Sequence, residues 1–391
     1  MTDRILTTHV GSLPRPERVV TQLFAQDSGL NYDAAQFDAV MQAEVDAVVA
    51  RQAQAHVDVV SDGEMSKISY ATYIRHRLTG FELGEMPRAV PLDLDDFPDF
   101  KERLAKLGAT PKYHRPICTG PIAVKDLSGL HQDIDNLKAA CAKAAAPGQA
   151  PLRAFMNSAS PGVIAVFQPN KYYASTELYL QALADAMTTE YETIVAAGLD
   201  LQIDAPDLAM GRHIKFRDVD DAEFLRNANL QVEALNHALR NVPAARVRMH
   251  VCWGNYEGPH HRDIEMRKII DVVLKAKPST VLFEGANPRH AHEWEVWAQA
   301  AREKRIPDDK ILAPGVLDSV NNFIEHPRLI AQRLLTYANI VGRDRVMAAT
   351  DCGFGTFAGF GAIHPPICFA KLASMAEGAR MASDELWNRT P

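Results

Sequence analysis

The chain has 391 residues, of which 47% are hydrophobic, and it carries a formal net charge of −7. Its length suits one large domain or two ordinary ones, and its acidic balance argues against a nucleic-acid or anionic-membrane partner. The first residues do not form a signal peptide, and no window approaches the roughly 18 uninterrupted apolar residues of a membrane span. We therefore expect a cytoplasmic protein, and a homo-oligomer is compatible with the sequence.

Short apolar runs alternate with longer amphipathic patterns along the chain. In chain order the runs are Ile5–Val10, Val57–Ser61, Pro116–Thr119, Leu152–Met156, Leu199–Ile203, Val247–Val251, Thr280–Phe283, Lys310–Ala313 and Val346–Ala349. Helical patterns between them include Tyr32–Ala55, Glu177–Gly198, Asp221–Asn241 and Pro327–Val341. This alternation is typical of a parallel sheet covered by helices. About eight such units predict a (β/α)8 TIM barrel, with a doubly wound sheet as the alternative.

One of the nine runs does not fit an eight-stranded barrel. Pro116–Thr119 follows a polar, proline-rich stretch, so we expect residues from about 85 to 116 to form an excursion over the barrel mouth. There is no internal repeat and no linker. Residues 1–391 are therefore interpreted as a single barrel domain.

A metal site is indicated by polar residues at the ends of three strands. His250 and Cys252 are two residues apart at the end of an apolar run, and side chains at that spacing on a strand point to the same face. Glu284 and Cys352 end two further runs. Because barrels carry their chemistry at the carboxyl ends of the strands, these side chains are expected to converge. Imidazole, thiolate and carboxylate are zinc ligands, so the four residues predict a Zn²⁺ site.

Several other residues in the sequence resemble metal ligands or a nucleotide-binding motif, and Glu284 itself has a second interpretation. Glu284 has an alternative role as the ion-pair partner of Arg289 or of a nearby histidine. Four histidines lie beyond their strands and are expected to be exposed or to cap helices: His260, His261, His290 and His292. The glycines of residues 353–358 resemble a dinucleotide fingerprint, but no later strand or ribose-binding acid follows them, as that motif requires.

The predicted ligands come from distant strands at an expected active-site mouth, which favours catalysis over a structural role. Such a zinc either activates water or binds a substrate thiol and lowers its pKa. Two cysteine ligands favour the thiol, because they leave the metal a weaker Lewis acid. A metal-dependent hydrolase or decarboxylase-like barrel, and a non-catalytic metal-binding protein, remain as alternatives.

Seven motifs in chain order resemble the cobalamin-independent methionine synthase family in a short form with the catalytic barrel alone. They are Thr8-His-Val-Gly-Ser-Leu-Pro14, Asp62-Gly-Glu64, Gln202-Ile-Asp-Ala-Pro206, His250-Val-Cys252, Phe283-Glu284, Pro314-Gly-Val316 and Asp351-Cys-Gly353. The resemblance covers nearly the whole chain. It implies a (β/α)8 barrel and a catalytic zinc held by His250, Cys252, Glu284 and Cys352.

The resemblance also implies a role for other residues and a place in methionine biosynthesis. Gly11 and Ser12 would bind the carboxylate of homocysteine, and Glu64 and Asp204 would bind its amino group. Two acids suit an ammonium, and a loop of N–H groups suits a carboxylate. Asp204 has an alternative role as a helix N-cap. The expected activity is methyl transfer to homocysteine from 5-methyltetrahydrofolate or another donor.

The residues expected around a folate donor depart from the family pattern. Ala205 replaces a glutamate, Phe167 stands where a tryptophan stacks on the pterin, and Gly315-Val-Leu-Asp-Ser-Val320 lacks a histidine. A methylated corrinoid protein is therefore an alternative donor. The related epoxyalkane:coenzyme M transferases offer an alternative function, in which a thiolate opens an epoxide. Their sulfonate substrate calls for cations, for which Arg15 and Lys67 are candidates.

Overall fold

Eight parallel strands form the barrel of this computed structural model, which describes residues 3–30, 32–84, 90–107 and 115–388. The strands are β1 Leu6–Thr7, β2 Val59–Val60, β5 Arg153–Ala159, β6 Asp200–Asp204, β7 Val247–His250, β8 Thr280–Phe283, β9 Ile311–Leu317 and β10 Met347–Thr350. Their order in the sheet is β1-β10-β9-β8-β7-β6-β5-β2. A parallel bridge between Thr8 and Val59 joins β1 to β2 and closes the barrel. The predicted fold is confirmed.

Twelve α-helices lie in the described ranges, and most of them pack around the barrel with an apolar face buried. They are α1 Glu17–Ser28, α2 Ala34–Gln54, α3 Pro98–Leu107, α4 Ser128–Ala144, α5 Pro161–Phe167, α6 Thr176–Ala196, α7 Gly211–Ile214, α8 Asp221–Ala238, α9 Met266–Lys275, α10 Trp294–Arg302, α11 Pro327–Val341 and α12 Pro365–Leu386. In α2, for example, Asp33 caps the first turn by accepting from Gln36 N, and Phe37, Met41 and Val45 are buried at helical spacing. No helix in the described ranges is both long enough and apolar enough to cross a membrane.

The run predicted to lie outside the barrel does so. Residues Arg115–Cys118 form β4, which pairs antiparallel with β3, Phe81–Gly84, in a separate two-stranded sheet. Between these strands, a 3-10 helix (Leu92–Asp96) and α3 occupy residues 90–107. Residues 85–89 and 108–114 of the predicted excursion lie outside the described part of the chain.

Strand register places the predicted site residues at one end of the barrel. Asp204 is the last residue of β6 and pairs in register with His250, the last residue of β7. Glu284 directly follows β8, and Cys352 follows β10 by one residue. Because all these strands are parallel, their carboxyl ends meet at the same mouth.

Candidate functional site

Three of the four predicted metal ligands come together. The ligand atoms of His250, Cys252 and Cys352 all lie within 4.8 Å of one another, and all three residues are buried. The two Sγ atoms are 3.6 Å apart and the cysteines are free. Two zinc–sulfur bonds of about 2.3 Å at a tetrahedral angle would separate the sulfurs by about 3.8 Å, so the pair has the spacing of two zinc ligands. The donors present therefore fit a zinc ion.

Protonation of the thiols also bears on this cluster. The hydrogen bond with Cys352 and burial raise the pKa of Cys252 well above its ordinary value, and the nearby charges of Cys352 and Glu284 add to the effect. The buried thiol of Cys252 thus resists ionisation until a cation arrives. Metal binding at this cluster would release protons, as it does wherever cysteine is a ligand.

Glu284 lies beside the cluster but outside the set of atoms within 4.8 Å. Its Oε1 accepts from Trp253 N at 3.0 Å, and its Oε2 accepts from Asn287 Nδ2 at 2.8 Å. These contacts differ from the ion pair with Arg289 considered as its alternative role. They tie the carboxylate to the residue that follows Cys252, and its assignment as the fourth ligand stays a prediction.

Asp351 fixes the loops that carry Cys352 and Glu284. Its Oδ1 accepts from Gly285 N and Ala286 N at 2.8 and 2.9 Å, and its Oδ2 accepts from Asn287 N at 2.6 Å. The end of β10 is thereby held to the loop after β8. Asp351 stands immediately before Cys352 in the sequence, but only the structure shows that its carboxylate reaches a second loop.

A cavity of about 540 Å³ opens onto this cluster. Its inner end is polar and is lined by Ser12, Glu64, Asp204, His250, Cys252 and Cys352. Its outer part is mostly apolar and is lined by Tyr70, Leu94, Leu104, Phe167, Val320, Phe357 and Phe360, among others. Four of the predicted contacts to substrate or metal (Ser12, Glu64, Asp204 and His250) and Phe167 therefore share one chamber with the two thiols of the cluster.

The two acids at the inner end differ in their surroundings. Asp204 is held from both sides, since Asn157 Nδ2 donates to its Oδ2 at 2.9 Å and Gln202 Nε2 to its Oδ1 at 3.0 Å. Oε2 of Glu64 is buried and has no hydrogen-bond partner among the described residues, although Arg15 Nη2 lies 3.9 Å away. Burial and the charge of Asp204 raise the pKa of Glu64 to about 7.

The turn at Gly11-Ser12 packs tightly against Asn157 and against the loop after β10. Gly11 has a φ of 145°, and a Cβ there would lie 2.4 Å from the Asn157 amide that holds Asp204. Ser12 is buried and lines the cavity, and its Oγ accepts from Gly355 N at 3.4 Å. A Cβ on Gly353 would meet that Oγ at 2.0 Å. Glycine at position 11 thus lets the β1 loop approach Asn157 on β5, and glycine at position 353 lets the β10 loop approach Ser12.

The cations considered for a sulfonate substrate are engaged elsewhere. Arg15 donates to the backbone oxygen of Glu64 from Nε and Nη2, at 3.0 and 2.8 Å, and also bonds Gly355 O. Lys67 is buried and donates to Asn157 O. Neither side chain lines the cavity. The inner end of the chamber therefore presents acids to a ligand.

The expectation for two of the extra histidines was wrong. His260 and His290 are buried rather than exposed, and both donate to Asp263 Oδ2, at 2.8 and 2.9 Å. Burial alone would lower the pKa of both imidazoles, but their contacts with carboxylates outweigh it. The pKa of His260 is raised to about 9 and that of His290 to about 10. The spacings His260 to Asp263 and His290 to Glu293 were visible in the sequence as i,i+3 pairs. His261 and His292 lie nearer the surface.

The fold and the site together define a (β/α)8 barrel with a buried His–Cys–Cys cluster at the carboxyl ends of its strands. Residues 5–88 match the family model for the catalytic domain of the cobalamin-independent synthases. The resemblance to the cobalamin-independent methionine synthase family is thereby confirmed, and full-length similarities extend it.

Two archaeal proteins are similar to this chain over almost its whole length. The methionine synthase of Saccharolobus solfataricus is 25% identical over 390 residues, which cover 97% of this chain and 95% of the relative. That of Sulfurisphaera tokodaii is 23% identical over 388 residues, covering 98% and 94%. The B12-independent methionine synthase from Shewanella sp. W3-18-1, solved in complex with selenomethionine, has the same fold. It aligns with a TM-score of 0.72 and 18% identity over 98% of this chain and 99% of the other.

Proposed function

We propose that this protein is a zinc-dependent thiol S-methyltransferase that converts homocysteine to methionine. The observation that carries the proposal is that Glu64 and Asp204 line the same inner cavity as His250, Cys252 and Cys352. Homocysteine has an ammonium and a thiol on one short chain, and this chamber offers acids for the first and a metal-binding cluster for the second. The full-length similarity to methionine synthases supports the same activity.

His250, Cys252 and Cys352 would hold the zinc, with Glu284 as a fourth ligand. Zinc bound there would lower the pKa of the substrate thiol, so that the sulfur is a thiolate at neutral pH. The choice of zinc rests on the two thiols and the imidazole at tetrahedral spacing, because this mixture of ligands is typical of that metal.

The rest of the inner site would orient the amino acid. Glu64 Oε2, which has no hydrogen-bond partner among the described residues, would accept from the substrate ammonium. Asp204 would accept a second hydrogen bond, since Asn157 and Gln202 already fix its carboxylate. The turn at Gly11 and Ser12 would bind the substrate carboxylate. With its ammonium and its carboxylate both bound, homocysteine would hold its thiol in a single orientation.

The alkyl donor would occupy the outer, apolar part of the cavity against Phe167, whose ring packs edge-on against Tyr70 at 5.7 Å. In the transfer, the sulfur forms a bond to the methyl carbon. The bond between that carbon and the donor breaks, and its electron pair stays with the donor. The donor would be 5-methyltetrahydrofolate or another methylated molecule. Donors other than folate are included because the segment that contains Leu317 and Ser319 lacks the histidine expected beside a folate.

The alternative of thiol addition to an epoxide, as in the epoxyalkane:coenzyme M transferases, has less support. A sulfonate substrate would need cations at the inner end, and Arg15 and Lys67 point to backbone oxygens instead. A cytoplasmic location and a single catalytic barrel spanning residues 1–391 remain predictions beside the proposed activity.

Direct thiol binding separates these two functions before any donor is identified. The zinc-loaded protein is titrated with homocysteine and with coenzyme M, following heat and proton release by calorimetry in two buffers. Homocysteine should bind and release a proton, and Asp204→Asn should weaken that binding without lowering the zinc content. Preferential binding of coenzyme M, unaffected by Asp204→Asn, would contradict the proposal.

A further inference from the structure

Residues 90–107, here called the roof segment, close the outer side of the cavity. Pro91, Leu94 and Leu104 line the chamber from this segment. The segment is an excursion from the barrel between β3 and β4, so its position depends on contacts with the loops at the barrel mouth.

Asp93 makes the most buried of these contacts. Its relative exposure is 0%, and a single oxygen, Oδ2, accepts from both Tyr256 OH and His260 N, the latter at 2.8 Å. Burial and the hydrogen bond with Asp93 raise the pKa of Tyr256, so the phenol remains a donor at neutral pH. A buried carboxylate is stabilised only while its donors are present.

More exposed ion pairs surround this contact. Asp96 is bonded by His261 and Arg262 at 2.7 Å, and Asp95 is paired with Lys101 and Arg217. Pairs in contact with solvent each contribute little to holding two elements together. Asp93 is therefore the residue on which the docking of the segment depends most.

Tyr256 connects the roof segment to the metal-binding loop. Its ring is packed against two glycines, since an added Cβ would lie 3.1 Å from the ring at Gly254 and 2.1 Å at Gly258. It also lies 4.4 Å from the His260 ring, centroid to centroid. Gly254 N in turn donates to Cys252 Sγ at 3.3 Å. A continuous set of contacts thus runs from Cys252 through Gly254 and Tyr256 to Asp93.

We propose that Asp93 is a positioning residue that latches the roof segment onto the loop of Cys252 through Tyr256 and His260, and thereby encloses the donor end of the cavity. This inference rests on the proposed function for the identity of the donor end. The latch controls which donors enter and how well water is excluded, whereas the inner homocysteine site is formed without it. Its loss should raise the KM for the donor and leave homocysteine binding unchanged.

The latch is tested without any methyl transfer. The full chain, reduced and free of metal, is labelled with a bulky thiol reagent, and labelling at Cys252 and Cys352 is followed by peptide mass spectrometry. Amide hydrogen exchange is measured in parallel. The variants are Asp93→Asn and the milder Tyr256→Phe, and Asp99→Asn is the matched control, an exposed acid of the same segment.

In Asp93→Asn, the two cysteines should be labelled faster, and amide exchange should be faster in residues 90–107 and 256–262. The expected increase is roughly tenfold or more, because that is the factor that corresponds to the loss of hydrogen bonds to a charged group. Tyr256→Phe should give a smaller change in the same peptides, and Asp99→Asn should match the wild type. Unchanged labelling and exchange in Asp93→Asn would overturn the proposal. So would faster exchange throughout the barrel, because Asp93 would then support the whole fold. Neither result depends on whether homocysteine is the substrate.

Discussion

The Sγ atoms of Cys252 and Cys352 lie 3.6 Å apart although the two residues are separated by 100 positions in the chain. The barrel brings them together because β7 and β10 end at the same mouth, and His250 joins them from the last position of β7. Two buried thiols at this spacing, held by separate loops, have the arrangement of metal ligands. The proposed function and most of its tests follow from this pair.

Replacing either cysteine should abolish metal binding. Cys352→Ser and Cys252→Ser each remove a thiolate, and we expect zinc affinity to fall by more than about 100-fold, since even a residue behind a ligand changes affinity by about 10- to 100-fold. Zinc content after dialysis, measured by elemental analysis, reports the change. Cys368→Ala is the matched control, a buried cysteine on α12, and it should keep its zinc. A Cys352→Ser protein that is fully active without metal would contradict the model.

Glu284→Gln tests the fourth ligand. Glutamine keeps the size of the side chain but loses the charge, so zinc affinity should fall by roughly 10- to 100-fold if the carboxylate binds the metal or directly supports it. A competition assay with a chromogenic chelator gives the affinity. Glu293→Gln is a suitable control, because Glu293 is a buried acid that interacts with His290 instead. Equal zinc affinity in Glu284→Gln and the wild type would remove Glu284 from the ligand set.

The pH dependence of product binding should report Glu64. Burial and the charge of Asp204 raise the pKa of Glu64 to about 7, so the carboxyl is mostly neutral at pH 6 and mostly ionised at pH 8. Methionine keeps its ammonium over this range, and its affinity should therefore rise about tenfold from pH 6 to pH 8. Calorimetry on the metal-free protein measures this directly. Glu64→Gln should bind weakly with a flat profile, and the same rise in that variant would assign the titration to another group.

Asp207 should make the fold less stable as pH rises. Burial raises its pKa from 3.8 to about 7, and its Oδ1 accepts from Ser160 Oγ at 2.8 Å. Between those two values the folded state holds a proton that the unfolded state has lost, so the free energy of unfolding falls as pH increases. Asp207→Asn should abolish this part of the dependence and raise stability at pH 8 by about 1 to 4 kcal/mol. Urea unfolding at pH 5 and pH 8 checks it, and a variant less stable than the wild type at pH 8 would refute it.

Short, continuous apolar runs that alternate with longer amphipathic patterns allowed the strands and helices to be predicted. Thr280–Phe283 matches β8 residue for residue, and Pro327–Val341 matches α11. The strand β1, Leu6–Thr7, is shorter than the predicted run Ile5–Val10, because the strand hydrogen bonding ends before the turn at Gly11. Sequence patterns report apolar faces but not the residue at which a ladder stops.

The partners of polar side chains could be predicted less well. His250, Cys252 and Cys352 were placed together because each ends a strand of one barrel. Contacts made across loops gave no such signal: Glu284 with Trp253 N, and Asp93 with Tyr256, join segments whose approach depends on the folded mouth.

X-ray absorption at the zinc edge tests the central claim most directly, because it counts the sulfur neighbours of the metal. The zinc-loaded protein should show two sulfur neighbours near about 2.3 Å, the usual zinc–thiolate distance, from Cys252 and Cys352. Addition of homocysteine should raise the count to three, and the Cys352→Ser protein should hold no stoichiometric zinc to measure. A spectrum with two sulfur neighbours that homocysteine leaves unchanged would contradict the proposal that this site activates a substrate thiol.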